Sequence, residues 1–296
     1  MHKLLVLTLA GACGTVAAQT PATNPMPDGS RDMYIGLGAQ YIPRYDGARQ
    51  NKTLALPVLQ VQWSNGIFIS GLTAGMHLSD LPSIEYGPLL SLQSRRDEEG
   101  TDGGVGGVGD GSGGDAKINA VLPPSGGGFV PNTARIAAAS NHLYGMDVIR
   151  RRVLYGGFFN YYFTPQLRLT NNVLYGAGND RNGLRWHAAM QYMLQDALPH
   201  HTFVLSAGVS VVNGAYNKAY FGVTEQENER NFLGVYTPGG GVQDVRAGLR
   251  WNWALSPSWL ITSGAQVTHL VGDARNSPLV ERSTNVTVST ALAYRF

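Results

Sequence analysis

Val245-Arg246-Ala247-Gly248-Leu249-Arg250-Trp251-Asn252-Trp253 keeps two parities apart: Val245, Ala247, Leu249, Trp251 and Trp253 on one, Arg246, Gly248, Arg250 and Asn252 on the other. Successive side chains of a strand point to opposite faces, whereas a helix of 3.6 residues per turn would mix the two sets. This strand therefore has an apolar face with two tryptophans near one end and a polar face with two arginines. In a soluble sandwich the arginine face is the wet outside. In a membrane barrel it is the wet inside, and the tryptophans sit in the aromatic girdle at the lipid boundary.

Composition chooses between these. The chain has 38 glycines, 14 tyrosines and only 14% charged residues among 296, a balance suited to apolar residues spread over alternate positions. No run of about 18 apolar residues follows the N-terminal stretch, so no helix is long enough to span a bilayer. The formal charge of +2 gives no argument for nucleic acid. The same alternation recurs in Met33–Tyr41, Ile84–Gln93 and Leu184–Leu194, and more weakly in Thr53–Trp63, Ile67–His77, Arg152–Phe163, Gln166–Ala177, His201–Val211 and Trp259–Leu270. Most are near the ~9–11 residues that a tilted strand needs to cross a bilayer. The last strand, Thr284–Phe296, puts Val286, Val288, Leu292, Tyr294 and Phe296 on one face. An aromatic end in register with an apolar stripe resembles the C-terminal insertion signal of outer-membrane proteins.

The expected architecture is all-β: a monomeric transmembrane antiparallel up-and-down barrel of about 12 strands, forming a single unit over residues 31–296. Lys3, the apolar Leu4–Ala12 and Val16-Ala17-Ala18 read as a signal peptide of residues 1–18. The only cysteine, Cys13, lies inside it, so the mature chain would hold no thiol. Residues 19–30, rich in Pro, Thr and Asn, read as a disordered periplasmic lead-in. Bacterial barrels have even strand numbers, short periplasmic turns and longer outer loops. Counting from a periplasmic C-terminus places Ser256-Pro257-Ser258, Asp196–His200 and Thr164-Pro165 in the periplasm and 213–242 and 271–283 outside. Counting from the N-terminus places Ser64-Asn65-Gly66 in the periplasm. Only eleven strands are visible, and the two counts collide between Arg96 and Arg151, so a twelfth strand is expected within Asn132–Val148. The low-complexity stretch Gly100–Gly128 reads as a flexible Gly-rich insert at about 97–131.

Candidate chemistry is sparse. His142, His200, His201, His269, Asp273 and Glu281 fit no nucleophile or metal-ligand spacing, so no catalytic, cofactor or metal residue is assigned. By parity Arg168, Arg185, Arg246 and Arg250 face inward with His187 and Glu85. They read either as a cationic, anion-preferring pore wall or as a structural network filling the lumen. The charged run Glu225, Glu227, Glu229 and Arg230 reads as solvated.

Two C-terminal stretches are more specific. Ala215-Tyr216-Asn217-Lys218-Ala219-Tyr220-Phe221-Gly222-Val223-Thr224, and Leu270-Val271-Gly272-Asp273-Ala274 followed by Ser277-Pro278-Leu279-Val280, resemble the signatures of the MipA/OmpV family. Tyr294-Arg295-Phe296 resembles its ending. Gly36-Leu37-Gly38, Tyr41, Pro43, Tyr45 and Leu56-Pro57 fit its opening, with Asp46-Gly47-Ala48 where a Gly-Ser pair is more usual. The resemblance implies an outer-membrane barrel of a Gram-negative bacterium. It also implies a non-enzymatic scaffold that brings a lytic transglycosylase to a penicillin-binding protein, or else a porin-like or adhesin-like surface protein. Outer-membrane lipid and the barrel-assembly machinery are the expected general partners. On the expected topology the aromatic signature around Tyr216, Tyr220, Phe221 and Gly222 lies in the long outer loop, as a lumen plug or a contact surface.

Overall fold

The computed structural model describes residues 31–102, 107–108 and 141–296, without the side chains of 195–197. Twelve strands close an antiparallel barrel: β1 (Arg31–Pro43), β2 (Asn51–Trp63), β3 (Ile67–Ser70), β4 (Thr73–Met76), β5 (Ile84–Gln93), β8 (Arg152–Tyr162), β9 (Leu167–Ala177), β10 (Gly183–Leu198), β11 (His201–Val212), β12 (Gly241–Ala254), β13 (Trp259–Leu270) and β14 (Thr284–Arg295). The pair β6 (Arg96–Asp97) and β7 (Gly100–Thr101) forms a small hairpin outside the barrel wall. Closure is made by β1 against β14, from Tyr34↔Arg295 to Tyr41↔Val288. The final strand thus completes the sheet and leaves no edge.

The wall sorts its side chains by parity. Leu37 is 74% exposed, and Ile35, Met190, Leu249, Val267 and Leu292 are likewise exposed on the outside, while Tyr34, Leu56, Val204, Leu260 and Ala293 are buried inside. An exposed apolar belt of this extent is stable only against hydrocarbon. One rim carries stacked aromatics: His201 lies 5.7 Å from Trp251 and 5.4 Å from Trp253, and Tyr294 packs on Trp259 and Phe296. This rim has the short turns, which are the periplasmic ones in bacterial barrels. The turn expected at Asp196–His200 is narrower, because β10 continues to Leu198 and pairs with His201.

The twelfth strand is not where the sequence count placed it. β5 pairs directly with β8, from Ile84↔Tyr161 to Gln93↔Arg152, which leaves no place for a strand between them. Residues 132–140 of the expected segment lie outside the described residues, and 141–148 contain no strand. Instead, Ile67–His77 is two short strands folded as a hairpin, with Ser70↔Thr73 flanking Gly71-Leu72. Gly71 has φ +57, the first central residue of a type II′ turn, which glycine adopts without strain. The hairpin pairs with β2 only over Gln60–Gln62 and with β5 only over Thr73–Gly75. The barrel wall is therefore low at this point, and the outer part of β2 rises above it.

Candidate functional site: the roofed lumen

The periplasmic half of the lumen is packed. Phe68, Phe158, Leu89 and Leu174 form one cluster. Arg168 donates to the Gln191 amide oxygen at 2.8 Å and to the Tyr162 hydroxyl at 2.9 Å, while Asn160 donates to Glu85 at 3.0 Å. The Arg295 guanidinium is paired with Asp32 at 2.7 Å. Arg168 and Glu85 thus belong to this filling. Val108, from the Gly-rich insert, is 2% exposed and packs with Tyr34, Leu56, Val58 and Leu260.

The outer mouth is covered by a roof built from distant segments. Helix α1 (Gly214–Phe221) starts at Asn213, whose side chain accepts from the Tyr216 amide at 2.9 Å. Helix α2 (Glu225–Asn231) starts with a reciprocal capping box: Thr224 N donates to Glu227 Oε2 at 2.8 Å and Glu227 N to Thr224 Oγ1 at 3.2 Å. Helix α3 (Gly272–Arg275) packs Ala274 against Phe221 and Leu270. A second cluster joins Tyr45, Ala48, Leu143, Met146, Val223 and Leu279. The expected outer loops are thus helical, and the signature residues hold the roof together. Ser277 donates to the Phe221 carbonyl at 2.6 Å, and the Asp273 carboxylate accepts from Gly239 N at 2.7 Å. Gly222 caps α1, donating to the Lys218 carbonyl. Glu227 is not solvated: it is 6% exposed, and its second oxygen accepts from Asp147 N at 3.0 Å.

Arg96 fastens the roof to the barrel. It is 5% exposed, its guanidinium donates to the Tyr220 carbonyl and, at 3.3 Å, to the Ala219 carbonyl, and it lies 5.6 Å over the Tyr220 ring. A cation at the last carbonyls of a helix satisfies groups that have no partner within the helix and opposes its dipole. Burial lowers the guanidinium from its usual value, with Tyr220 and Glu227 acting the other way. Burial also pushes the Tyr220 phenol up. Tyr45 is raised by burial and by Glu281; its hydroxyl donates to the Leu279 carbonyl at 3.0 Å and contacts Glu281 at 3.1 Å. Sequence reasoning missed Arg96, whose helix partners lie 123 and 124 residues away. The helix starts were visible in Asn213 and in Thr224-x-x-Glu227.

Between roof and packed half lies a cavity of about 290 Å³, lined by Tyr216, Tyr220 and Phe221 above and by Arg185, His187, Arg246 and Arg250 on the β10–β12 wall. The structure therefore brings four of the six charged-wall residues together. Arg246 forms a bidentate pair with Asp244, at 2.7 and 3.0 Å, and donates to Ser210 at 2.8 Å. Three of the remaining candidates hold structure, while His200 lies exposed in its turn. His142 meets the Pro278 carbonyl at 3.0 Å, His269 meets Thr284 at 2.8 Å, and Glu281 accepts from Arg49 N at 3.1 Å. Among the described residues no cluster of three or more His, Cys, Asp or Glu is arranged to hold a metal.

Comparison with known proteins places this architecture. The chain is 24% identical over 147 residues to the MltA-interacting proteins of Escherichia coli K12 and Shigella flexneri, a match covering 50% of this chain and 58% of theirs. Solved barrels similar to it include the NanC porin, at 7% identity and TM-score 0.38 over 90% of this chain and 100% of that one. Another is the channel DcaP of Acinetobacter baumannii, at 6% identity and TM-score 0.36 over 90% and 96%. The family match runs over residues 35–296, from β1 to the aromatic terminus. A closed barrel with an apolar outer belt and a signature-built roof is thus an outer-membrane protein, and the chain belongs to the MltA-interacting protein MipA family.

Proposed function

We propose that this barrel is an interaction protein of the cell envelope, a scaffold that gathers murein-cleaving and murein-building enzymes at the outer membrane. The observation that carries the reading is the roof. Its helices and loops bury their signature side chains over the outer mouth and are tied down by Arg96, Ser277 and Tyr45, so the barrel is built as a closed platform. The relatives' name, MltA-interacting protein, supports a lytic transglycosylase as one partner, with a penicillin-binding protein as the expected second. Such partners approach from the periplasmic rim. There the longest connection, residues 77–83, exposes Leu78 and Leu81, an apolar pair suited to a protein contact. Affinity capture from solubilised envelopes is expected to recover a murein hydrolase and a murein synthase with the parent chain, and to lose them with Leu78→Asp/Leu81→Asp. Recovery of neither enzyme by the parent chain overturns the scaffold.

A second reading, a small-solute or anion pore, is favoured by the arginines that line the cavity. Planar-bilayer recordings separate the two: steady conductance steps by the parent chain support the pore, and silence supports the platform.

A further inference from the structure

The cavity beneath the roof has a construction that closing the barrel does not require. Small residues face it along the β11–β14 wall: Gly208, Gly248, Gly264, Ser206 and Ser289. Register sets one complete row across it, Gln40↔Ser289, Ser289↔Gly264 and Gly264↔Arg250. The missing side chain at Gly264 leaves room in front of Arg250. Among the described residues, the formal charges that line the cavity below the rim are Arg185, Arg246 and Arg250, with Arg246 paired to Asp244; the lining aspartates, Asp46 and Asp102, belong to the outer loops. At the other end of the row Gln40 is 1% exposed, and both polar atoms of its amide lack a hydrogen-bond partner among the described residues. A buried amide without partners calls for a group that both donates and accepts. A hydroxyl does both, and a guanidinium matches a carboxylate or phosphate.

From this we infer that the roofed cavity is a binding site for one small hydroxylated anion, the carboxylate or phosphate monoester of a sugar. The anionic group meets Arg250 and Arg185, and the hydroxyls meet Gln40 and Ser289. A volume of about 290 Å³ lies at the lower end for small-molecule sites, roughly 300–1,000 Å³, so the occupant is the size of a monosaccharide. The inference goes beyond the scaffold reading and is independent of it, because binding is measured without any protein partner.

The experiment is calorimetric titration of the purified, detergent-solubilised full chain with glucuronate, glucose 6-phosphate, glucose and inorganic phosphate. At least one of the two sugar anions is expected to bind at least about tenfold more tightly than both glucose and inorganic phosphate. Which of the two binds tells a carboxylate site from a phosphate site. Arg250→Gln is expected to weaken that binding about tenfold or more. Gly264→Phe fills the row and is expected to abolish binding. A Cβ at Gly264 meets only Ser289 Oγ at 3.4 Å and Leu249 O at 3.7 Å, and unchanged heat-modifiable gel migration verifies that this variant is folded. The site is overturned if no probe binds, if glucose or inorganic phosphate binds as tightly as the sugar anions, or if folded Gly264→Phe binds like the parent.

Discussion

At the residue scale, Arg96 carries the most. It donates to the Tyr220 and Ala219 carbonyls at the end of α1, beside Ser277 at the Phe221 carbonyl, and it comes from the β6 hairpin, far away in sequence. Hydrogen bonds from a charged group contribute about 1.5–3 kcal/mol, and losing them leaves the carbonyls without a partner. Arg96→Gln is therefore expected to destabilise the roof by about 2 kcal/mol, or roughly 30-fold faster amide exchange over Tyr216–Phe221, with the barrel strands unchanged. Exchange at the parent rate would show that the latch is idle. Tyr45 and Tyr220 add a pH dependence of known sign. Both phenols are raised above the ordinary value of 10.0 by burial in the folded chain, so the folded state holds their protons more tightly than the unfolded state. Their contribution is full below pH 10 and falls as pH rises past it. Alkaline titration followed by phenolate absorbance is expected to show Tyr45 and Tyr220 among the late-ionising tyrosines and a roof that loosens as these two ionise. Tyr45→Phe/Tyr220→Phe removes that slope; if it persists in the double variant, its source lies elsewhere.

At the element scale, the strands were legible because alternation is enforced wherever one face meets lipid and the other a packed or wet lumen. Arg246 and Arg250 against Trp251 and Trp253 left little choice. The hairpin at Gly71 was not legible. A two-residue turn reverses parity, since Ser70 and Thr73 pair on the same face, and only a clear pattern on both sides shows the reversal. Thr73-Ala74-Gly75-Met76 is too short and too small-sided to register it, so one strand was read where there are two. The helices of the roof were hidden by length, at eight, seven and four residues, too short for a 3.6 period. Their caps were present in the sequence, and at this scale the caps matter. Thr224→Ala removes the first half of the capping box and is expected to destabilise α2 by about 1 kcal/mol, seen as faster exchange confined to Glu225–Asn231. The lumen wall was readable as parity alone. What could not be read was its division into a packed half with Arg168 and Glu85 and a cavity with Arg185, His187, Arg246 and Arg250. That division depends on which strands face each other across the barrel and on where the glycines fall.

At the scale of the whole molecule, the barrel and the roof are separable by design of the chain. The connection that carries α1 and α2 leaves β11 at Val212 and enters β12 at Gly241, and these two residues are directly paired. Replacing residues 213–240 by Asn-Gly, the dipeptide suited to a tight type I′ hairpin, should therefore leave the ladder intact. The replaced segment supplies Tyr216, Tyr220 and Phe221, the aromatic ceiling of the cavity. If the roof is what closes the lumen, the shortened chain conducts in planar bilayers where the parent is silent. Arg185, Arg246 and Arg250 then line the exposed path, so the current should prefer anions and lose that preference when Arg185 and Arg250 are both changed to Gln. The packed half below argues for a small conductance, since Val108 and the Arg168 network still occupy the periplasmic end. A shortened chain that folds and stays silent would move the closure from the roof to that end. Cation preference in a conducting one would mean that the arginines are neutralised where they stand.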